Sequence, residues 1–224
     1  QGGSTRGRHN TGALVGYNDG LISHAYATSN VSGGDNVGGL IGYHHGAGRA
    51  DHLYATGDVA GSGNAGGLLG YGMNGGLYYA YASGNVHGGN AGGLVGEFQS
   101  FSPWFTYATG DVTGSSSAGG LIGKQEHGTV WHSYATGKVT GTGAGAAFTG
   151  GLIGDNSFTN ILRSYWDIDS TGQTQVCGGA GAAACSGSGG LAAPVGLSTA
   201  AAFQQASYAN LIFTNDWYMV EGQT

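Results

Sequence analysis

One block, Gly-Gly-Leu-(Ile/Leu/Val)-Gly, returns along this chain at nearly constant spacing, and it narrows the possible folds more than any other feature. It occupies Gly38–Gly42, Gly66–Gly70, Gly92–Gly96, Gly119–Gly123 and Gly150–Gly154, with a degraded first copy at Gly12–Gly16. The closing glycines lie 26, 28, 26, 27 and 31 residues apart. A second block, Tyr-Ala-(Thr/Ser)-(Gly/Ser)-x-Val, starts at Tyr26, Tyr54, Tyr81, Tyr107 and Tyr134, and Tyr165 opens an altered version. A unit this short cannot bury its own apolar side chains, whereas stacked copies bury a shared core.

The register inside each repeat suggests three short strands and three corners. The Leu-Ile pair between glycines reads as one strand. The alternation ahead of each tyrosine (Ile22 then His24, Ile161 then Arg163) reads as a second, half-buried one. The Gly-Asp pairs Gly57-Asp58 and Gly110-Asp111 read as a turn, with the Asn and Asp side chains at this position bonding the turn's own backbone. Glycine is expected at the corners because it reaches positive φ without a Cβ clash. Whole-repeat stacking places Leu14, Leu40, Leu68, Leu94, Leu121 and Leu152 in one file and Val31, Val59, Val86, Val112 and Val139 in another. The expected fold is an all-β, right-handed parallel β-solenoid of about six coils, each of ~27 residues, the hand following from the general crossover preference. The long last spacing holds an insertion near Ala144–Phe148 that should bulge as a loop.

Composition removes several alternatives. Fifty of the 224 residues are glycine, and each interior glycine costs a helix about 1 kcal/mol, so a helical bundle is excluded. Six basic residues against 12 acidic ones leave no basic stripe for nucleic acid. No apolar run is long enough for a membrane helix, and no charged, then apolar leader opens the chain, so it reads as a mature or excised segment. Three regions are expected: a polar segment, 1–11, that could be a subunit-contact strand; the solenoid, 12–172; and a capping segment, 173–224. In the last, Ser198–Ala206 reads as a short helix N-capped by Ser198, and Phe203, Tyr208, Leu211, Phe213 and Trp217 are apolar enough to cover the final rung.

The array of Gly-Gly-Leu-x-Gly and Tyr-Ala-Thr-Gly-Asp-Val blocks resembles the GLUG repeat found in large secreted bacterial surface proteins of the filamentous-haemagglutinin or two-partner-secretion type. Ser164-Tyr-Trp-Asp167, Ser170-Thr-Gly-Gln173, Gly190-Leu191, Phe213 to Trp217 and Glu221-Gly222 resemble the segment that follows the last copy in such proteins. The resemblance covers residues 12 to about 222. It implies an extracellular β-solenoid with adhesive or scaffold duties, and it carries no catalytic residues.

Against that background each candidate site has a plain and a sharp reading. In an extracellular chain, Cys177 and Cys185 read as a disulfide closing a small loop, the alternative being two free thiols. His24, His52 and His132 share one repeat position and His44-His45 are adjacent, but Tyr79 and Phe105 interrupt the column, so a tolerant surface position outweighs a metal site. Thr28, Thr56, Ser83, Thr109 and Thr136 form a hydroxyl column, read as a cross-rung ladder rather than an ice-binding face. Asn30, Asp58, Asn85 and Asp111 are too sparse in carboxylates for Ca²⁺. No paired carboxylates suit polysaccharide cleavage, so no enzyme activity and no cofactor are expected. Tyr43, Tyr71, Tyr79, Trp104, Phe105 and Trp131 would gather into an aromatic stripe suited to a subunit, a glycan or a host surface. The expected function is a structural or adhesive surface element, self-associating end to end, or alternatively a carbohydrate- or host-binding module.

Overall fold

The computed structural model describes residues 3–46, 48–179, 185, 193–208, 211, 213 and 217, without the side chains of 158 and 159. The chain winds into a parallel β-solenoid of about seven turns, built from one 10-stranded and one 11-stranded parallel sheet. The repeat spacing becomes the hydrogen-bonding register. Leu69 pairs with Ile41 on one side and Val95 on the other, and Val86 with Val59 and Val112. The N–H groups of Leu40, Leu68, Leu94 and Leu121 donate to the carbonyls of Leu68, Leu94, Leu121 and Leu152 at 2.8–2.9 Å.

Two files of side chains fill the interior. Leu40, Leu68, Leu94, Leu121 and Leu152 are fully buried together with Phe98, Phe101 and a set of alanines. Val31, Val59, Val86, Val112 and Val139 form a second buried file with Val37, Ala65, Ala91 and Ala118. Leu14 is the exception to the expected ladder, at 53% exposure. It belongs to the first described coil, which among the described residues has a neighbouring coil on one side only.

Several expectations change in detail. The two strands expected between Leu-Ile and Tyr-Ala are one continuous strand in the central coils, as in Leu69–Ala82, Val95–Ala108 and Ile122–Ala135. Each bends twice without leaving the sheet, at left-handed residues. One bend position is Asn74, Ser100 and His127 (φ 54, 52 and 59°); the other is His24, His52, Tyr79, Phe105, His132 and Arg163 (φ 47 to 56°). The alternation read as a plain strand therefore crosses a corner. Conversely, none of the repeated Gly-Gly corners has positive φ. Glycine stands there because the coils approach too closely for a side chain: a Cβ on Gly39, Gly67, Gly93 or Gly120 would strike the carbonyl of the corresponding glycine one coil on.

Residues 1–11 do not lie apart from the coils in their described portion. Ser4–Arg6 pairs with Asn30–Ser32 and His9–Gly12 with Asp35–Gly38, both parallel and in repeat register. The insertion folds as a 3₁₀ turn, Gly143–Ala147, with most of its residues exposed. Beyond the last recognisable repeat the winding continues, which is why the coil number exceeds six. Cys177–Gly178 pairs with the strand Ile153–Leu162, and Val195–Leu197 with Tyr165–Asp167. The cap follows. Ser198 Oγ accepts from Ala201 N at 3.2 Å and starts the helix Thr199–Ala202, shorter than expected, followed by a 3₁₀ turn at Gln205–Ser207. Tyr208 and Leu211 close over Tyr165 and Leu197, with Phe213 and Trp217 packed at the margin. Asp167 ties the cap to the rod, accepting from Asp169 N and Ser170 N at 3.0 Å and from the Thr199 hydroxyl at 2.8 Å. Residues 180–184, 190–191 and 221–222, part of the expected cysteine loop and terminal segment, lie outside the described residues.

Candidate functional site: the ladders on the solenoid surface

Because equivalent positions recur once per coil, outward-pointing residues stack into columns along the rod. The six aromatic residues expected to form one stripe fall into three such columns. Tyr43 stacks between Tyr17 and Tyr71, at ring-centroid distances of 5.2 and 5.1 Å. Trp104 and Trp131 stack at 5.1 Å, with Tyr78 at 6.3 Å from Trp104. Tyr79 and Phe105 occupy the left-handed bend, in a continuous column His24–His52–Tyr79–Phe105–His132 with spacings of 4.8–5.1 Å. The bends at Asn74 and at Tyr79 explain the separation, since each turns the following residues onto a new face.

A fourth column, legible in the repeat yet absent from the expected site, is the longest phenol file. Tyr26, Tyr54, Tyr81 and Tyr107 stack at 4.8, 5.0 and 4.8 Å with ring planes within 6° of parallel. It passes from open to covered: Tyr26 is 60% exposed and Tyr165, the residue in register with Tyr134, is 1% exposed. The capping segment does the covering, with Trp217 against Tyr107 and Tyr208 edge-on to Tyr134. Burial pushes the phenols of Tyr81, Tyr107 and Tyr134 upward.

The Trp column is closed at both ends by cations. The Arg49 guanidinium sits 4.3 Å over the Tyr78 ring and that of Arg163 lies 6.0 Å from the Trp131 ring centre, an arrangement favoured by the ring quadrupole. The Tyr17–Tyr43–Tyr71 column instead runs into charge, since Glu97, Lys124 and Asp155 continue it coil by coil. Lys124 bridges Glu126 at 2.7 Å and Glu97 at 3.7 Å, and Tyr71 donates to Gln99 Oε1 at 2.8 Å. Burial, then the neighbouring Glu97, Tyr43 and Glu126 charges, push the Tyr71 phenol up to about 12 from its ordinary 10.0. Its folded-state value exceeds the unfolded one, so its contribution is complete below the unfolded value and is lost as pH rises toward the folded one. Stability is therefore expected to fall between about pH 10 and about pH 12. Denaturant midpoints across that window check this, and Tyr71→Phe should lessen the decline without abolishing it, because Tyr81, Tyr107 and Tyr134 are raised as well.

Polar ladders line the remaining faces. Asn36 donates to Asn10, Asn64 to Asn36 and Asn90 to Asn64 at 2.9–3.0 Å, and Ser117 Oγ to Asn90 at 3.0 Å. This asparagine ladder was missed in the sequence, although an Asn two residues ahead of the first glycine of the repeated block (Asn10, Asn36, Asn64, Asn90) is its visible signal. The turn residues Asn30, Asp58, Asn85 and Asp111 also act between coils rather than within their own turn. Each Oδ1 accepts the backbone N–H of the equivalent residue one coil on, Asp58, Asn85, Asp111 and Lys138, at 2.9–3.0 Å. Alternating amide and carboxylate keeps like charges from adjoining at coil spacing. These side chains rim a groove of about 420 Å³ on the valine face.

The hydroxyl column behaves differently from expectation. The N–H groups of Thr56, Ser83, Thr109 and Thr136 bond the carbonyls of Ala27, Ala55, Ala82 and Ala108 at 3.1 Å, but among the described residues no hydrogen bond joins the hydroxyls to one another. His44 and His45 point apart. His44 is buried between Asn18 and the Gly48 carbonyl, and burial lowers its pKa; His45 stacks on Tyr43. Among the described residues no three His, Cys, Asp or Glu side chains converge as a metal site. Cys177 and Cys185 form the expected disulfide.

Fold and surface together define a ladder-stabilised parallel β-solenoid. Two of its stretches, residues 33–60 and 114–140, match the family model of the GLUG motif, so the chain carries GLUG repeats. No curated protein and no solved structure matches the chain.

Proposed function

We propose that this chain is an extracellular structural or adhesive rod of a cell surface, acting by axial stacking of coils and not by catalysis. The observation that carries this reading is the use of the outer surface. Its aromatic, asparagine and Asx columns are engaged with the same residue types one coil above and below. Side chains so engaged stiffen the rod. The disulfide supports an oxidising, extracellular setting, and repeats of the GLUG type are compatible with a surface role. The resemblance to filamentous-haemagglutinin-type and two-partner-secretion proteins belongs to this proposal.

The first described coil supports self-association in particular. It leaves Leu14 53%, Tyr17 53%, Leu21 70% and Tyr26 60% exposed, with a strand edge able to take a further coil by β-augmentation. That coil can come from a second copy or from a longer polypeptide. A glycan-binding flank is less well supported, because sugar rings pack on open aromatic faces, whereas those of Trp104 and Trp131 meet each other, Tyr78 and Arg163.

Sedimentation and negative-stain imaging over a wide concentration range test the reading. Rods lengthening with concentration, and reverting to short units on Leu21→Lys, are expected; uniformly short rods at every concentration would overturn self-association. A glycan array with the intact chain and with Trp104→Ala and Trp131→Ala addresses the other reading, and specific binding lost in both variants would replace the structural role with recognition.

A further inference from the structure

The Tyr26–Tyr54–Tyr81 column has a chemistry that its structural role does not use. Backbone register holds the three residues directly over one another. The rings lie 4.8 and 5.0 Å apart at interplanar angles of 6° and 1°. Tyr26 is largely exposed, Tyr54 and Tyr81 are half-buried, and among the described residues their hydroxyls make no hydrogen bond. The other tyrosine column contrasts with this. There Tyr43 donates to Met73 Sδ at 3.5 Å and Tyr71 to Gln99 Oε1 at 2.8 Å, which pins the rings. Next along the first column, Tyr107 is covered by Trp217. Tyr26, Tyr54 and Tyr81 are therefore neighbouring phenols held at coupling distance, accessible from outside, and tethered only at their backbones.

We propose that this column is a site of oxidative modification, in which a peroxidase-class one-electron oxidant, with hydrogen peroxide as the terminal acceptor, joins rings of adjacent coils as dityrosine. Each of two phenols loses one electron and its hydroxyl proton, leaving a radical shared between oxygen and the ortho and para carbons. The para carbon carries the side chain, so the two radicals pair through ortho carbons and one C–C bond forms. The ortho hydrogens then shift to the oxygens and restore both phenols. The two electrons and two protons released reduce one hydrogen peroxide to two waters. The product is a covalent staple between coils, placed where the cap does not reach.

The test treats dilute folded protein with a haem peroxidase and hydrogen peroxide, follows dityrosine fluorescence, and maps the links by mass spectrometry. The expected result is a species of monomer size, lighter by two hydrogens per link, with links between Tyr26 and Tyr54 or between Tyr54 and Tyr81. Tyr54→Phe keeps the ring stack and removes both pairings, so most of the fluorescence should be lost. Links spread equally over Tyr17, Tyr43 and Tyr71, or links formed only between chains, would overturn the proposal. So would a wild-type link pattern that persists unchanged when the reaction is run in urea, a comparison that does not depend on the variant folding.

Discussion

Gly67→Ala should cost the solenoid about 3 kcal/mol, the upper end of what overpacking typically costs and a large share of what holds a domain of this size together. Gly67 is fully enclosed, and a Cβ there would meet the Gly93 carbonyl of the next coil and, at 2.8 Å, the Ala82 Cβ. Neither neighbour is the movable end of a side chain. Accommodating one methyl means separating two coils, which stretches the ladder bond from Gly67 N to Gly92 O, now 3.3 Å. Overpacking against backbone is the costly form of small-to-large substitution. Gly20→Ala is the matched control, because its Cβ would meet nothing within 4 Å and its φ is ordinary; it should be neutral or stabilising by up to about 1 kcal/mol. Urea midpoints measure both. Similar midpoints for the two variants would mean that coil approach does not explain the glycines.

Leu94→Ala should destabilise by about 3–5 kcal/mol, since a fully buried leucine loses its transfer energy and leaves a cavity that packed neighbours fill only in part. Leu94 has 0% exposure in a file between Leu68 and Leu121, and the backbone on both sides is fixed by the ladder bonds Leu68 N to Leu94 O and Leu94 N to Leu121 O. Collapse into the void would have to break that register. Leu14→Ala removes the same atoms from the same repeat position at 53% exposure and should cost under about 1 kcal/mol. If the two variants unfold at the same denaturant concentration, the leucines do not act as a packed file.

Much of this molecule was legible before any coordinates. Chain periodicity is the stacking period of the coils, so spacing translates directly into which residues are neighbours. The leucine and valine files and the Ser198 cap follow from residue type and position alone, while the Cys177–Cys185 bridge also needed the oxidising setting that the family resemblance implies. The candidate site was legible only in its residue types. Tyr43, Tyr71, Tyr79, Trp104, Phe105 and Trp131 are indeed surface aromatics, but their division among three columns depends on two left-handed bends occupied by Asn, Ser, His, Tyr, Phe and Arg. Residue identity marks such bends poorly when the penalty of positive φ is offset by stacking one coil away.

The amino-acid sequence by itself determined the repeat, the parallel stacking and the two buried files, because one-dimensional recurrence leaves a coil no other partner than its neighbour. Only the tertiary structure decided why the corner glycines are glycine and which coil the Asx side chains serve. It also decided that the winding runs on past the last recognisable motif. These depend on distances between chain segments some 26 to 31 residues apart. A backbone carbonyl facing Gly67, or an N–H waiting for Asn30, leaves no mark in the local pattern of residues.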